Sequence, residues 1–272
     1  MGYANLLLHL QLGISNAALL AFTQQLAAAC QARVTGFAAR QPMKVIYAES
    51  YVPETLVERD RAEIAAEFGS AKMEFRSVFG SDADWRSAVT YDSLAGVLAR
   101  EARCADLVIT GIDHETSVFD DTRHLDVGEL VMQAGRPCLI VPQNLRALAL
   151  DHVVVGWKDT TETRRAVCSA LPVLKLAKRV TVIELACSNE LDEAQDRVAD
   201  VHAWLLGHGI DARASVEALV DDTSQLRNLL ANTHADLIVA GVYGHSRTRE
   251  WILGGVTRDL LLSGDRCALV SH

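Results

Sequence analysis

This chain of 272 residues contains the same apolar segments twice. The segment ADLVITG at 105–111 recurs as ADLIVAG at 235–241, and RPCLIV at 136–141 recurs as RCALV at 266–270, both with an offset of 130 residues. The segment ARVT at 32–35 recurs as KRVT at 178–181, with an offset of 146. Landmarks repeated in the same order predict two copies of one structural unit. The difference of 16 between the offsets predicts that the first copy is longer, in a helix near residues 53–79.

Each copy alternates short apolar strands with helices. In the first copy we expect strands at 6–10, 33–37, 84–89, 105–111 and 138–141, separated by helices at 16–31, 53–79, 92–103 and 125–134. In the second copy we expect strands at 152–157, 180–185, 212–217, 235–240 and 268–270, separated by helices at 161–175, 191–206, 223–231 and 258–262. Such alternation predicts an α/β fold, in which helices cover both faces of a parallel sheet. The predicted domains span residues 1–143 and 150–272, with a linker at 142–148.

Composition excludes several classes of function. Half of the residues are hydrophobic and the formal net charge is −9, which supplies a core and argues against nucleic acid or an anionic membrane as a partner. No apolar run approaches the roughly 18–20 residues of a membrane span, and the N-terminus lacks the basic region of a signal peptide. The cysteines form no C-x-x-C pair, so we expect mostly buried, reduced thiols and a cytoplasmic location.

A glycine-rich segment, residues 241–257 (GVYGHSRTREWILGGVT), follows the strand predicted at 235–240. Gly241 and Gly244 suit a sharp turn and leave room for a ligand against the backbone. Gly254, Gly255 and the hydroxyl of Thr257 come just before a predicted helix, whose free N–H groups and dipole favour an anion. The segment therefore predicts a phosphate site, although the glycines could also serve only to close a strand-to-helix turn.

The spacing of this segment resembles the nucleotide-binding signature of the universal stress protein family. The matching residues are Gly241, Gly244, Gly254, Val256 and Thr257, with Gly255 where the family usually has Ser or Thr. The resemblance implies two flavodoxin-like or Rossmann-like (HUP-type) domains, each a five-stranded parallel sheet with strand order 3-2-1-4-5. In this family the last strands of two domains commonly pair across a dimer axis. A tandem chain can make that contact internally, as a pseudo-dimer, and a further homodimer stays open.

The resemblance also implies a stress-response protein that binds ATP or a related adenine nucleotide, with or without Mg, more than it implies an enzyme. The first strand of the second copy ends at Trp157 and Lys158, and Lys158 stands where the family usually has an aspartate near the adenosine. Backbone near Val182 stands where the family contacts adenine, and His245 and Ser246 match a polar stretch near phosphate. The predicted nucleotide-binding residues are Trp157, Lys158, Val182, Gly241, Gly244, His245, Ser246, Gly254, Gly255, Val256 and Thr257. No catalytic residue and no metal ligand is predicted.

The two copies differ where the ligand would bind. An offset of 130 places His114, His124 and Leu125 opposite three of the four glycines. Residues 111–129 carry six carboxylates and one arginine, a net charge of −5, whereas residues 241–259 carry three arginines and two carboxylates, a net charge of +1. Carboxylates repel phosphate, so we expect a degenerate first copy that does not bind ATP in the family's way. We expect its acidic segment to be a solvated loop that replaced a lost site, and a docking loop for a protein partner is a better alternative than a metal site.

Two other functions remain open. A slow ATPase would need a positioned water and usually a metal, and the sequence shows neither a convincing base nor a Walker A lysine. A scaffold or regulatory protein that binds no nucleotide would account for Lys158, for Gly255 and for the altered first copy. His9, which interrupts an apolar strand, is expected to be a hydrogen-bonded core histidine rather than an acid–base group.

Overall fold

The computed structural model describes residues 2–43, 54–112, 124–143, 145, 147–219, 225, 228–229, 232–242 and 266–272. The first half of the chain contains five strands: β1 (Asn5–His9), β2 (Arg33–Arg40), β3 (Trp85–Val89), β4 (Leu107–Gly111) and β5 (Cys138–Val141). Its helices are α1 (Ala17–Cys30), α2 (Glu54–Phe79), α3 (Leu94–Glu101) and α4 (Val127–Ala134), and a 3-10 turn (Ala102–Cys104) follows α3.

The second half repeats the order of the five strands and of the first two helices. Its strands are β6 (Val153–Trp157), β7 (Val180–Ala186), β8 (Ala212–Ala218), β9 (Leu237–Gly241) and β10 (Cys267–Ser271). Helix α5 (Thr161–Leu176) connects β6 to β7, and α6 (Leu191–Gly207) connects β7 to β8. The helix predicted at 223–231 lies mostly outside the described residues, and the one predicted at 258–262 lies entirely outside them.

The ten strands form one sheet in the order β3-β2-β1-β4-β5-β10-β9-β6-β7-β8. Within each half every pairing is parallel and the order is 3-2-1-4-5, which confirms the predicted fold class. The two halves meet where β5 and β10 pair antiparallel, with Leu139 opposite Leu269. These leucines are equivalent by the offset of 130, so a local two-fold axis passes between them. The domain limits at 143 and 150 stay a prediction.

The core is shared between the halves. One buried cluster extends across the sheet face covered by α1, α2, α5 and α6, and includes Leu8 and Leu139 from the first half and Val155 and Leu269 from the second. A second cluster lies under α3 and α4. The Tyr3 hydroxyl also donates a hydrogen bond to the Ser169 carbonyl oxygen at 2.8 Å, which links the start of the chain to α5.

The extra residues of the first copy lengthen the second helix, as predicted. Helix α2 has 26 residues and its counterpart α6 has 17. The connection before α2 is also longer, since residues 41–53 stand in the place of residues 187–190. No helix within the described ranges is long and apolar enough to cross a membrane.

The expectation of mostly buried cysteines is wrong. All six thiols are free, but only Cys138 and Cys267 are buried, and burial raises the pKa of each to about 12. Cys104, Cys168 and Cys187 are exposed. Their apolar neighbours in the sequence do not bury them, because a helix turns one face to solvent and a strand ends at the surface. Cys168, for example, is exposed next to the buried Val167 on α5.

Candidate functional site

In the second half, the sheet has a topological switch point between β6 and β9. The strands β7 and β8 lie on one side of β6, and the later strands β9 and β10 lie on its other side. Strand β6 pairs with β7 on one side and with β9 on the other, so Gly156 lies opposite both Ile183 and Ala240. In open α/β sheets, connections that leave two neighbouring strands toward opposite faces form a crevice at the carboxyl ends of those strands. In open α/β sheets this switch point is where ligands bind. The glycine-rich segment starts here, at Gly241.

Two predicted residues lie at this edge. Trp157 is the last residue of β6 and is partly buried against the core. Its indole Nε1 is buried, and none of the described residues forms a hydrogen bond with it. Lys158 follows and is exposed, and within the described part of the chain its ammonium has no ion-pair partner. Thr160 then caps α5, because its hydroxyl accepts a hydrogen bond from the Thr163 N–H at 3.3 Å. The short connection therefore holds one unpaired cation at the crevice.

Gly241 is required by packing of the protein itself. A Cβ at this position would lie 2.6 Å from the carbonyl carbon of Glu162 and 2.7 Å from the Cα of Thr163. The first turn of α5 therefore occupies the space that the sequence interpretation reserved for a ligand. The other predicted residues of the segment, Gly244, His245, Ser246, Gly254, Gly255, Val256 and Thr257, lie outside the described residues, and their role stays a prediction.

Val182 lies inside the sheet rather than at its edge. It pairs with Val155 of β6 and with Ala214 of β8, and its side chain is fully buried. Strand β7 continues for four more residues, to Ala186. A ligand at the carboxyl edge would meet the end of β7 first, so this placement does not favour the predicted backbone contact at Val182.

Sequence reasoning did not select the ion pair between Glu184 and Arg197. The Glu184 side chain is 5% exposed, and its Oε1 accepts hydrogen bonds from Arg197 Nε at 3.0 Å and Nη2 at 2.6 Å. This hydrogen bond raises the pKa of Arg197. The sequence pattern of β7 could have indicated the ion pair, because Glu184 lies on the same face of the strand as the buried Val180 and Val182. A charged residue at such a position is seldom buried without a specific role.

At the corresponding edge of the first half, two of the described side chains, Gln11 and Asn16, lie over the ends of the strands. Asn16 closes the connection after β1, since its side chain accepts from the Gln11 N–H and donates to the Gln11 carbonyl, both at 2.9 Å. A Cβ on Gly111 would lie 2.8 Å from Gln11 Oε1, so this glutamine covers the end of β4. The acidic residues 113–123 lie outside the described residues.

His9 is a core histidine, as predicted. It is buried, and its Nδ1 lies 3.0 Å from Thr110 Oγ1 on the neighbouring strand. Burial lowers the pKa of His9 to about 4, because the charged imidazolium loses its hydration. The ring is therefore neutral at pH 7 and contributes to the interior of the first half.

Comparisons with known proteins agree on the fold. No protein-family model matches the sequence, and no curated protein does. A universal stress protein from Archaeoglobus fulgidus DSM 4304 is similar, with a TM-score of 0.73 at 12% identity over 98% of this chain and 95% of that one. A functionally unknown protein from Pseudomonas aeruginosa PAO1 has a TM-score of 0.61 at 14% identity, over 99% and 92% of the two chains. A protein from Pseudomonas aeruginosa UCBPP-PA14, named provisionally as a universal stress protein, has a TM-score of 0.61 at 14% identity, over 99% of this chain and 93% of that one. The chain has the fold of the universal stress proteins, with two such units in one polypeptide.

Proposed function

We propose that this protein is a universal stress protein whose second half binds ATP or a related adenine nucleotide. The observation that carries the proposal is the switch point between β6 and β9, where the exposed Lys158 follows β6 and the glycine-rich segment begins at the end of the paired strand β9. A cation and a glycine-rich strand-to-helix connection supply the charge and the backbone N–H donors that a phosphate group requires. The cytoplasmic location remains inferred from the sequence.

The charge balance supports a single site per chain. Residues 241–259 carry a net charge of +1, and the equivalent residues 111–129 carry −5. In the first half, Gln11 and Asn16 also fill the edge where a ligand would enter. Both the electrostatics and the packing therefore support a proposed site in the second half.

Titration calorimetry of Mg·ATP into protein stripped of nucleotide tests the proposal. We expect one site of micromolar affinity, lost in Gly254→Asp, because a carboxylate in the predicted phosphate site repels the ligand. His124→Asp is the matched control, since residue 124 is equivalent to residue 254 by the offset of 130 and lies in the half assigned no site. A titration without Mg determines whether the metal is required. Circular dichroism verifies that both variants fold.

Two equivalent sites would contradict the assignment to the second half alone. No heat at two temperatures would overturn nucleotide binding and favour the second candidate, a regulatory scaffold that acts through a protein partner. The observation in favour of this alternative is Gly241, whose lack of a side chain is explained by the packing of α5 without any ligand. Capture of partners by the full chain would then replace nucleotide titration as the informative experiment.

A further inference from the structure

The two halves contain the same kind of ion pair, with different hydrogen bonding. In each half an arginine–glutamate pair joins the second strand to the second helix: Arg40 of β2 to Glu67 of α2, and Glu184 of β7 to Arg197 of α6. In the first pair both carboxylate oxygens are used, since Arg40 Nε donates to Oε2 at 2.9 Å and Nη2 donates to Oε1 at 2.5 Å. In the second pair both arginine nitrogens donate to Oε1 alone.

The second arrangement leaves one carboxylate oxygen without a donor. Oε2 of Glu184 is buried and has no hydrogen-bond partner among the residues that the structure describes, whereas both oxygens of Glu67 are bonded. A buried acceptor without a donor is unfavourable and rare in folded proteins. The Arg40–Glu67 pair in the first half shows that an ion pair between the second strand and the second helix of this fold can use both carboxylate oxygens. The difference therefore calls for a cause specific to the second half.

A second buried polar atom without a partner belongs to the neighbouring residue on the next strand. Trp157 is the register partner of Glu184 on β6, and its buried Nε1 has no hydrogen-bond partner within the described ranges either. One atom is an acceptor and the other a donor, so a ligand group that offers both a donor and an acceptor satisfies the two together. Trp157 ends β6 and Glu184 is two residues from the end of β7, which puts both at the carboxyl edge beside Lys158.

We propose that Glu184 is a specificity-determining residue of this crevice. Its Oε2 accepts a hydrogen bond from an N–H or O–H of the bound nucleoside, and Trp157 Nε1 donates to an acceptor of the same ligand. Arg197 is a positioning residue that holds Glu184 through Oε1. The inference rests on the proposed nucleotide site. A nucleoside has two sources of such a donor, the exocyclic amine of adenine and the ribose hydroxyls, and the test separates them.

The test is the affinity of Mg·ATP for the wild-type chain, for Glu184→Gln and for Glu67→Gln. Glu184→Gln keeps the shape of the side chain and removes its charge, so we expect affinity to fall about tenfold or more, the usual effect of losing a hydrogen bond to a charged group. Glu67→Gln makes the same change in the first half and should leave affinity unchanged. The two donors are separated with purine riboside triphosphate, which lacks the amine, and with 2′-deoxy-ATP. The analogue that lacks the group donating to Glu184 should bind the wild-type chain weakly. It should bind Glu184→Gln with the same weak affinity.

Equal affinity of the wild type and Glu184→Gln for ATP would overturn this inference and leave the proposed nucleotide site intact. No binding of ATP to the wild type would overturn the nucleotide site itself. If Glu184→Gln fails to fold, Trp157→Phe decides the question, because it removes the indole N–H and keeps an aromatic ring. We expect this variant to bind ATP several-fold more weakly, and wild-type affinity in it would contradict the proposed contact.

Discussion

Replacing Gly241 by alanine should destabilise the protein through its own packing, whatever the ligand. The added methyl group would lie 2.6 Å and 2.7 Å from backbone atoms of Glu162 and Thr163 in the first turn of α5. Backbone atoms cannot rotate away as a side chain does, so either α5 or the end of β9 must shift. Overpacking of a core costs about 1–3 kcal/mol, and contact with backbone places this substitution near 3 kcal/mol. For a chain of this size that corresponds to a fall in Tm of roughly 6–12 °C.

The measurement is thermal and urea unfolding of Gly241→Ala beside Gly156→Ala. Gly156 is on the neighbouring strand, and a Cβ there meets only the Val239 carbonyl oxygen, at an ordinary distance of 3.8 Å. Gly156→Ala should therefore change the free energy of unfolding by less than about 1 kcal/mol. Wild-type stability in Gly241→Ala, or an equal loss in both variants, would refute the packing explanation. A loss of ATP affinity with no loss of stability would return Gly241 to the ligand site.

Three further predictions follow from the shared core. The pKa of His9 is about 4 in the folded chain and about 6.5 in the unfolded chain, so only the unfolded chain takes up this proton as the pH falls from 6.5 to 4. The free energy of unfolding should therefore fall by about 3 kcal/mol over this range. The variant His9→Gln should lack this decrease. NMR titration of the His9 ring would contradict this if the pKa were near 6.5. Tyr3→Phe removes the hydrogen bond to Ser169 and should lower the free energy of unfolding by about 1 kcal/mol, measured in urea, with an unchanged value arguing against that contact. The fragment 150–272 alone loses the strand that covers β10, so it should dimerise through β10 in sedimentation experiments, and a monomer at high concentration would contradict this.

The sequence was sufficient to predict the strands and helices that the structure describes, because several of these elements are buried along their whole length. Strands such as β4 are buried along their whole length and read as unbroken apolar runs, so their positions and their repetition are local properties of the sequence. Pairings between distant residues are not local. Glu184 and Arg197 are 13 residues apart on different elements, and no pattern in either element shows that both nitrogens bind one oxygen. Gly241 shows the same limit, because its neighbour is α5 and the local sequence indicates only that a side chain is excluded.

The symmetry of the sheet would allow one half to bind a ligand without the other. Because β5 and β10 pair antiparallel, the strands of the two halves run in opposite directions. The carboxyl ends of the strands of the two halves therefore lie at opposite edges of the sheet, and Gln11 and Asn16 are not at the edge that carries Lys158. The first half still pairs with β10 and shares the core, so it contributes to the stability of the second half whether or not it binds a ligand.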